Sequence, residues 1–232
     1  MPRVELSVQV SCIVKGRMTE FFATLTSRQL TPAVFLDRDG VINRKAREGY
    51  YITRTHEFEL LPGVTECVKR LNHAGFPVII ITNQRGVATG SIAVLDEIHE
   101  QMLRQFAEAD ANITAIYVCP HDYSDGCDCR KPLPGMLLKA AADHDLDLAN
   151  SWMIGDSNGD VQAGKAAGCH TIRIATGILG SNETMADYQA ADLLHAIQRI
   201  LKNHEKADLL PVSPPLIGLP AFEYDISWLL LD

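Results

Sequence analysis

The chain has 232 residues, 47% hydrophobic and 22% charged, with a formal net charge of -8, which describes a globule with one sizeable core plus appendages rather than two full domains. That acidic balance argues against a dedicated nucleic-acid surface. No apolar run is long enough to span a membrane, and Arg3 and Glu5 do not open a secretory signal, so the expected setting is the cytoplasm.

Residues 1–30 read as an N-terminal appendage. Val4, Leu6, Val8, Val10 and Cys12 alternate with polar residues, which suggests an edge strand, and Met18 is an alternative start. Residues 31–203 alternate strand, loop and helix. Val34 to Leu36 form a buried strand that ends in Asp37-Arg38-Asp39-Gly40, and an extended backbone there turns Asp37 and Asp39 to one side and Arg38 away. Residues 44–61 form a long loop. Pro62 opens a helix carrying Val64, Val68 and Leu71 inward and stopping at Gly75. Pro77 to Ile81 form a second strand, followed by Thr82-Asn83-Gln84-Arg85-Gly86. Ser91 caps a helix with Leu95, Ile98, Met102 and Phe106 at helical spacing.

A third strand, Ile113 to Val118, runs into a cysteine cluster. Pro134 opens a helix through His144, and Ser151 to Ile154 form a fourth strand ahead of Gly155-Asp156-Ser157-Asn158-Gly159-Asp160. A short helix over Val161 to Ala167, a fifth strand over His170 to Ile174 and a helix over Ala190 to Lys202 follow. The pattern implies an α/β fold, a three-layer parallel sheet covered by helices on both faces. Residues 204–232 are a proline-rich tail whose apolar end, Trp228 to Leu231, suits docking on this chain or a copy of it.

Four polar stretches thus follow four consecutive strands, where α/β sheets bind ligands. Their inventory is that of phosphoryl transfer. Asp37 is the candidate nucleophile, with magnesium held by Asp37, the backbone carbonyl of Asp39 and Asp156. Asp39 is the candidate general acid and base. Thr82 would donate to phosphoryl oxygens, and Lys131 would neutralise Asp37 and the phosphate together. Asp160 reads either as a support for the metal site or as an acid at a helix N-terminus.

Cys119, His121, Cys127 and Cys129 supply three thiolates and an imidazole, a full tetrahedral set for zinc. Arg130 and Lys131 come directly after the last ligand, so a folded zinc loop fixes where both cations point. His56, His73, His99, His144, His170 and His195 have no clustered partners and suit structural roles.

With these motifs in place, the chain resembles the haloacid-dehalogenase superfamily of aspartyl-phosphate phosphatases, and within it the heptose-bisphosphate phosphatases. The likeness spans about Pro32 to Gly177 and rests on Phe35 to Asn43, Gly49-Tyr50, Thr82 to Gly86, Cys119-Pro120-His121, Cys127 to Pro132 and Gly155-Asp156. It implies a magnesium-dependent phosphatase acting on a small phosphorylated seven-carbon sugar, a five-stranded core without a large cap domain, and a zinc-binding loop. Substrate contacts implied by it fall on Arg47, Glu48, Gly49, Tyr50, Thr82, Asn83, Gln84, Arg85, Arg130 and Lys131. Histidinol-phosphate phosphatases share the zinc loop; Glu48-Gly49-Tyr50 and Leu133 to Met136 tilt the likeness toward the sugar. The basic run Arg44, Lys45 and Arg47 offers a place for a second phosphate. Ser157 departs from the family, where a lysine often follows the metal aspartate. The expected partner is the substrate alone, with no nucleic acid or membrane and a monomeric state, the tail allowing a dimer. A silent zinc-stabilised binding module is the reading of a different class, and the intact set of acids speaks against it.

Overall fold

A computed structural model describes residues 4–14, 17–27, 30–46, 52, 54–85, 92–175 and 185–208, with backbone alone for 4–14, 17–27, 92–93 and 206–208. The Ser91 cap and the tail beyond Asp208 fall outside the described residues. Among these residues no helix is long and apolar enough to cross a membrane.

The elements in chain order are β1 (Val4–Val14), β2 (Arg17–Ser27), β3 (Val34–Leu36), α1 (Val64–His73), β4 (Val78–Asn83), α2 (Ile92–Glu108), β5 (Ala115–Cys119), α3 (Gly135–His144), β6 (Trp152–Gly155), α4 (Asn158–Ala166), β7 (His170–Ile174), β8 (Tyr188–Ala190) and α5 (Leu193–Asp208). Strands β3 to β8 form one parallel sheet in the order β5-β4-β3-β6-β7-β8. From β3 the chain winds outward through β4 to β5, returns to β6 on the other side of β3, and winds outward again. The order reverses at β3, and the crevice beyond its carboxyl end is where an open α/β sheet binds its ligand.

Alternation along the strands divides the core. Val34, Leu36, Val78 and Ile80 lie on one face with Val68 and Leu71 of α1, Met102 and Phe106 of α2 and Ile197 of α5. Phe35, Ile79, Ile81 and Met153 lie on the other with Leu137 and Ala140 of α3 and Ala163 of α4. Both faces are dry, so β4 reads as a continuous Val-Ile-Ile-Ile run rather than as alternating polar and apolar residues.

Five expectations are corrected. The first residues do not edge this sheet: β1 pairs antiparallel with β2 in a two-stranded sheet of its own, with Val14 opposite Arg17 and only Lys15 and Gly16 between them, a spacing suited to a hairpin. The main sheet has six strands, not five, because Tyr188–Ala190 pairs with β7 where a helix start was expected. Pro62 lies outside α1, whose N-cap is Gly63 in the left-handed region at φ 77°. Helix α4 begins at Asn158 because Ser157 and Asp160 cap each other reciprocally, and α5 runs to Asp208, past the expected end at Lys202.

Candidate active site

Strand β3 hands its last extended step to Asp37, whose N–H still donates to the Ile154 carbonyl of β6 at 2.9 Å. There the strand stops. The Arg38 carbonyl accepts from the N–H groups of Ile42 at 2.9 Å and Asn43 at 3.1 Å, and Gly40 N–H donates to Asn43 O at 2.8 Å, closing a compact turn. Gly40 is required in it: its φ is +95°, and a methyl group there would run into the Asp156 carboxylate.

Because the chain is already turning, Arg38 does not point away as an extended backbone would have it. Its side chain is fully buried and folds back on Asp39, with Nη2 3.1 and 3.0 Å from Oδ1 and Oδ2 and Nε 3.3 Å from Oδ1. Asn43 Nδ2 donates to Asp39 Oδ1 at 3.0 Å and Gln84 Nε2 to Oδ2 at 2.7 Å. Burial works against the charge, yet Arg38, Asn43 and Gln84 together hold the Asp39 carboxyl below its ordinary range. Arg38 Nη1 also lies 3.3 Å from His99 Nε2 of α2. Burial and the neighbouring guanidinium push that imidazole down to about 4, so the ring is neutral and accepts.

Lys131 is the centre of the site. Only 6% exposed, its Nζ lies 2.7 Å from Asp37 Oδ1, 2.6 Å from Asp160 Oδ1 and 2.8 Å from the Ile81 carbonyl. Asn83 fixes its backbone in both directions: Lys131 N–H donates to Asn83 Oδ1 at 3.1 Å, and Asn83 Nδ2 donates to Lys131 O at 3.0 Å. Burial alone would discharge the ammonium, but the carboxylates of Asp160 and Asp37 outweigh it and hold its pKa up. Of the two readings of Asp160, the acid in the first turn of α4 is what its hydrogen bonds show: it also accepts from Ser157 Oγ at 2.6 Å in the α4 capping box. Thr82, 1% exposed, accepts from Gln84 Nε2 at 2.9 Å.

Asp37, Asp156 and Asp160 each bring a carboxylate oxygen within 4.8 Å of the others. Lys45 reaches in from the long loop, its Nζ 2.9 and 3.2 Å from the Asp156 oxygens. The cluster therefore holds one more carboxylate than ammonium. Burial and Asp160 push the Asp37 carboxyl up to about 7, against the pull of Lys131. A divalent cation fits such a donor set: hard oxygens, excess negative charge and a carboxyl whose ionisation needs a counter-charge.

The second donor set gathers at the end of β5. Cys119 Sγ lies 3.6 Å from His121 Nδ1 and 3.7 Å from Cys127 Sγ, and His121 Nδ1 lies 3.2 Å from Cys129 Sγ. A tetrahedron built on Zn–S bonds of about 2.3 Å and Zn–N bonds of about 2.0 Å has edges of roughly 3.5–3.8 Å, so these residues fit zinc. Crowding has its cost when the thiols must share the space: burial and the sulfurs of Cys119 and Cys127 push the Cys129 thiol up to about 12.

Of the expected substrate contacts, Arg47, Glu48, Gly49 and Tyr50 lie outside the described residues. Asn83 and Gln84 hold Lys131 and Asp39 as given above. Arg85 Nη1 stands 3.5 Å from Asp122, and Arg130 Nη1 donates to the His121 carbonyl at 3.0 Å. Arg44, part of the basic run expected to offer a place for a second phosphate, pairs with Glu59 at 2.9 Å on the exposed surface. Sequence reasoning missed the side-chain roles of Lys45, Arg38, Asn43 and His99. Arg38 and Asn43 carried a signal as members of the Asp37 motif, and Lys45 as part of the basic run that follows it.

A family model described as HAD-hydrolase-like matches residues 128–199. The chain is 40% identical over 146 residues, 62% of this chain and 81% of the other, to a D-glycero-beta-D-manno-heptose-1,7-bisphosphate 7-phosphatase of Pseudomonas aeruginosa. To the protein of that name from Escherichia coli strain K12 it is 36% identical over 188 residues, 76% and 97% of the two chains. Among solved structures, D,D-heptose 1,7-bisphosphate phosphatase from B. bronchiseptica, complexed with magnesium and phosphate, matches with a TM-score of 0.69 and 34% identity over 75% of this chain and 99% of that one.

The elevated Asp37 carboxyl makes a stability prediction for the metal-free protein. Its folded pKa of about 7 lies above the ordinary 3.8, so the native state holds the proton more tightly and stability drains away as pH rises through that window. In chelator, Asp37→Asn is expected to melt above the unsubstituted protein by a margin that widens from pH 4 to pH 7 and then levels off, at about 2–4 °C per kcal/mol relieved. Differential scanning calorimetry checks this, and a margin independent of pH would contradict the charge argument.

Proposed function

Because the chain belongs to the heptose-bisphosphate phosphatase family of haloacid-dehalogenase-like hydrolases, we propose that it removes the 7-phosphate of D-glycero-D-manno-heptose 1,7-bisphosphate through a phosphoryl ester on Asp37. The observation that carries this reading is a buried carboxylate at the sheet's switch point, 2.7 Å from a buried ammonium and beside two further carboxylates. That is a nucleophile with its own counter-charge and a seat for a cation.

Asp37, the Asp39 backbone carbonyl and Asp156 would hold magnesium. Bound there, the ion supplies positive charge to the phosphoryl oxygens and lets them approach an anionic nucleophile. An Asp37 oxygen forms a bond to phosphorus as the bond from phosphorus to the sugar oxygen breaks, and Asp39 gives that oxygen a proton. A water oxygen then attacks the same phosphorus, Asp39 takes the water's proton, and Asp37 leaves as a carboxylate with inorganic phosphate released. Held ionised by Arg38, Asn43 and Gln84, Asp39 is ready as the base; for the first half-reaction it must gain a proton before the leaving group departs. Lys131 stays charged throughout and screens Asp37 from the incoming phosphate. Thr82 donates its hydroxyl hydrogen to a phosphoryl oxygen.

Cys119, His121, Cys127 and Cys129 would hold a structural zinc with no position open for water. Their work in catalysis is mechanical, because Cys129 is two residues from Lys131. Substrate contacts are proposed at Arg47, Glu48, Gly49, Tyr50, Asn83, Gln84, Arg85, Arg130 and Lys131, and Lys45 adds an ammonium on Asp156 beside Ser157, where a further cation suits an anionic substrate. The catalytic unit runs from residue 31 through α5, with the first 30 residues and the tail as appendages. A thiolate zinc site and a small phosphorylated substrate suit a reducing cytoplasm and a monomer.

Side-by-side kcat/KM values test the assignment. The heptose bisphosphate is expected to be turned over faster than histidinol phosphate, with magnesium required, and the reverse order would overturn the substrate. Zinc is tested separately. Cys129→Ser is expected to lose bound zinc, measured by plasma mass spectrometry, and to lower kcat about 10²-fold through misplacement of Lys131, without rescue by added magnesium. Unchanged kcat after quantitative zinc removal would contradict the positioning role.

A further inference from the structure

We propose that Tyr123 is a positioning residue whose ring holds Arg85 and Arg130 together as a seat for the substrate phosphate that is not cleaved. The inference rests on the bisphosphate reading and extends it to a residue outside the expected contact set. Tyr123 opens a short turn between His121 and Cys127, and 74% of it is exposed. Burial therefore does not explain where its ring sits. The guanidinium carbon of Arg130 lies 4.2 Å from the ring centroid and that of Arg85 lies 5.6 Å from it, both within reach of a cation–π contact.

The two arginines come from different loops of the site. Arg85 stands three residues past Thr82 at the end of β4, and Arg130 immediately precedes Lys131 after β5. Tyr123 is thus a bridge between the loop carrying the phosphoryl donor and the loop carrying the nucleophile's counter-ion. The turn beneath it is capped in both directions. Asp122 Oδ1 accepts from Tyr123 N–H at 2.6 Å, and Asp125 Oδ2 accepts from Asp122 N–H at 2.7 Å, a reciprocal cap. Asp122 also stands 3.5 Å from Arg85 Nη1, and the His121 carbonyl takes Arg130 Nη1 at 3.0 Å.

Two like charges converging on one ring repel each other, and the ring's negative face with the Asp122 carboxylate makes the arrangement tolerable. A phosphate dianion meets both guanidinium forks at once and removes the repulsion. A monoester without a second phosphate gains nothing from the pair, so Tyr123 acts on selectivity and not on the chemical step.

The test compares Tyr123→Ala and Tyr123→Phe on the heptose bisphosphate and on p-nitrophenyl phosphate, which lacks a second phosphate. Loss of one or two cation–π contacts is expected to raise KM for the bisphosphate about two- to sixfold in Tyr123→Ala. The expected kcat is unchanged, KM for p-nitrophenyl phosphate is unchanged, and Tyr123→Phe, which keeps the ring, behaves as the unsubstituted enzyme. Bound zinc should be equal in all three. A substrate-free readout accompanies the kinetics: the ring-current-shifted Nε–H resonance of Arg130 in a nitrogen-15 spectrum should move in Tyr123→Ala and stay in place in Tyr123→Phe. An unsubstituted enzyme with no preference for the bisphosphate would sink the functional reading and this inference with it. A Tyr123→Ala enzyme that keeps the full preference would sink this inference alone.

Discussion

The ammonium of Lys131 is the group on which the site is assembled. It is buried, it touches Asp37 and Asp160 at 2.7 and 2.6 Å, and its third short contact is the Ile81 carbonyl at the end of β4. A charge withdrawn so far from water is tolerable only with opposite charge and acceptors close around it. That requirement ties together strands β3 and β4, the loop after β5 and the first turn of α4. Asn83 adds a two-way amide bond to the Lys131 backbone, so position as well as charge is specified.

Charge imbalance sets this cluster apart from a purely structural tie. Three carboxylates face Lys131 and Lys45, and the Asp37 carboxyl is pushed up to about 7 by burial and Asp160. A wholly structural network would be expected to satisfy its charges internally. This one holds an excess of carboxylate, beyond the carboxyl ends of the strands where open α/β sheets bind their ligands. Asp39 is treated in the opposite way, gathered by Arg38, Asn43 and Gln84 and held ionised. Two neighbouring acids in one short turn thus have different protonation chemistry, set by what each one touches.

Much of this was legible in the sequence, for reasons that particular residues make plain. Asp37 and Asp156 stand just past apolar runs and Thr82 near the end of one, and a parallel sheet delivers the carboxyl ends of its strands to one edge, so their convergence followed from position; Lys131 was placed by its adjacency to the cysteine set. The cysteine set was legible from donor type and spacing. Side-chain direction was not. Arg38 was expected to face away because β3 was read as continuing, whereas the strand ends at Leu36 and the chain turns at once. Tyr188–Ala190 was missed because three residues carry no period of their own and only the neighbouring β7 makes them a strand. The start of α4 was placed at Val161, where apolar spacing begins, although Ser157 and Asp160 at capping-box spacing already signalled Asn158. The pairing of Lys45 left no local trace, since its partner Asp156 lies 111 positions away.

Direct observation of the covalent ester is the shortest route to the central claim. In an enzyme whose Asp39 is changed to Asn, acid quenching during turnover followed by peptide mapping by mass spectrometry should find one phosphoryl group, carried by the Asp37 side chain. A phosphoryl group on any other residue, or none while phosphate is still being released, would contradict the account.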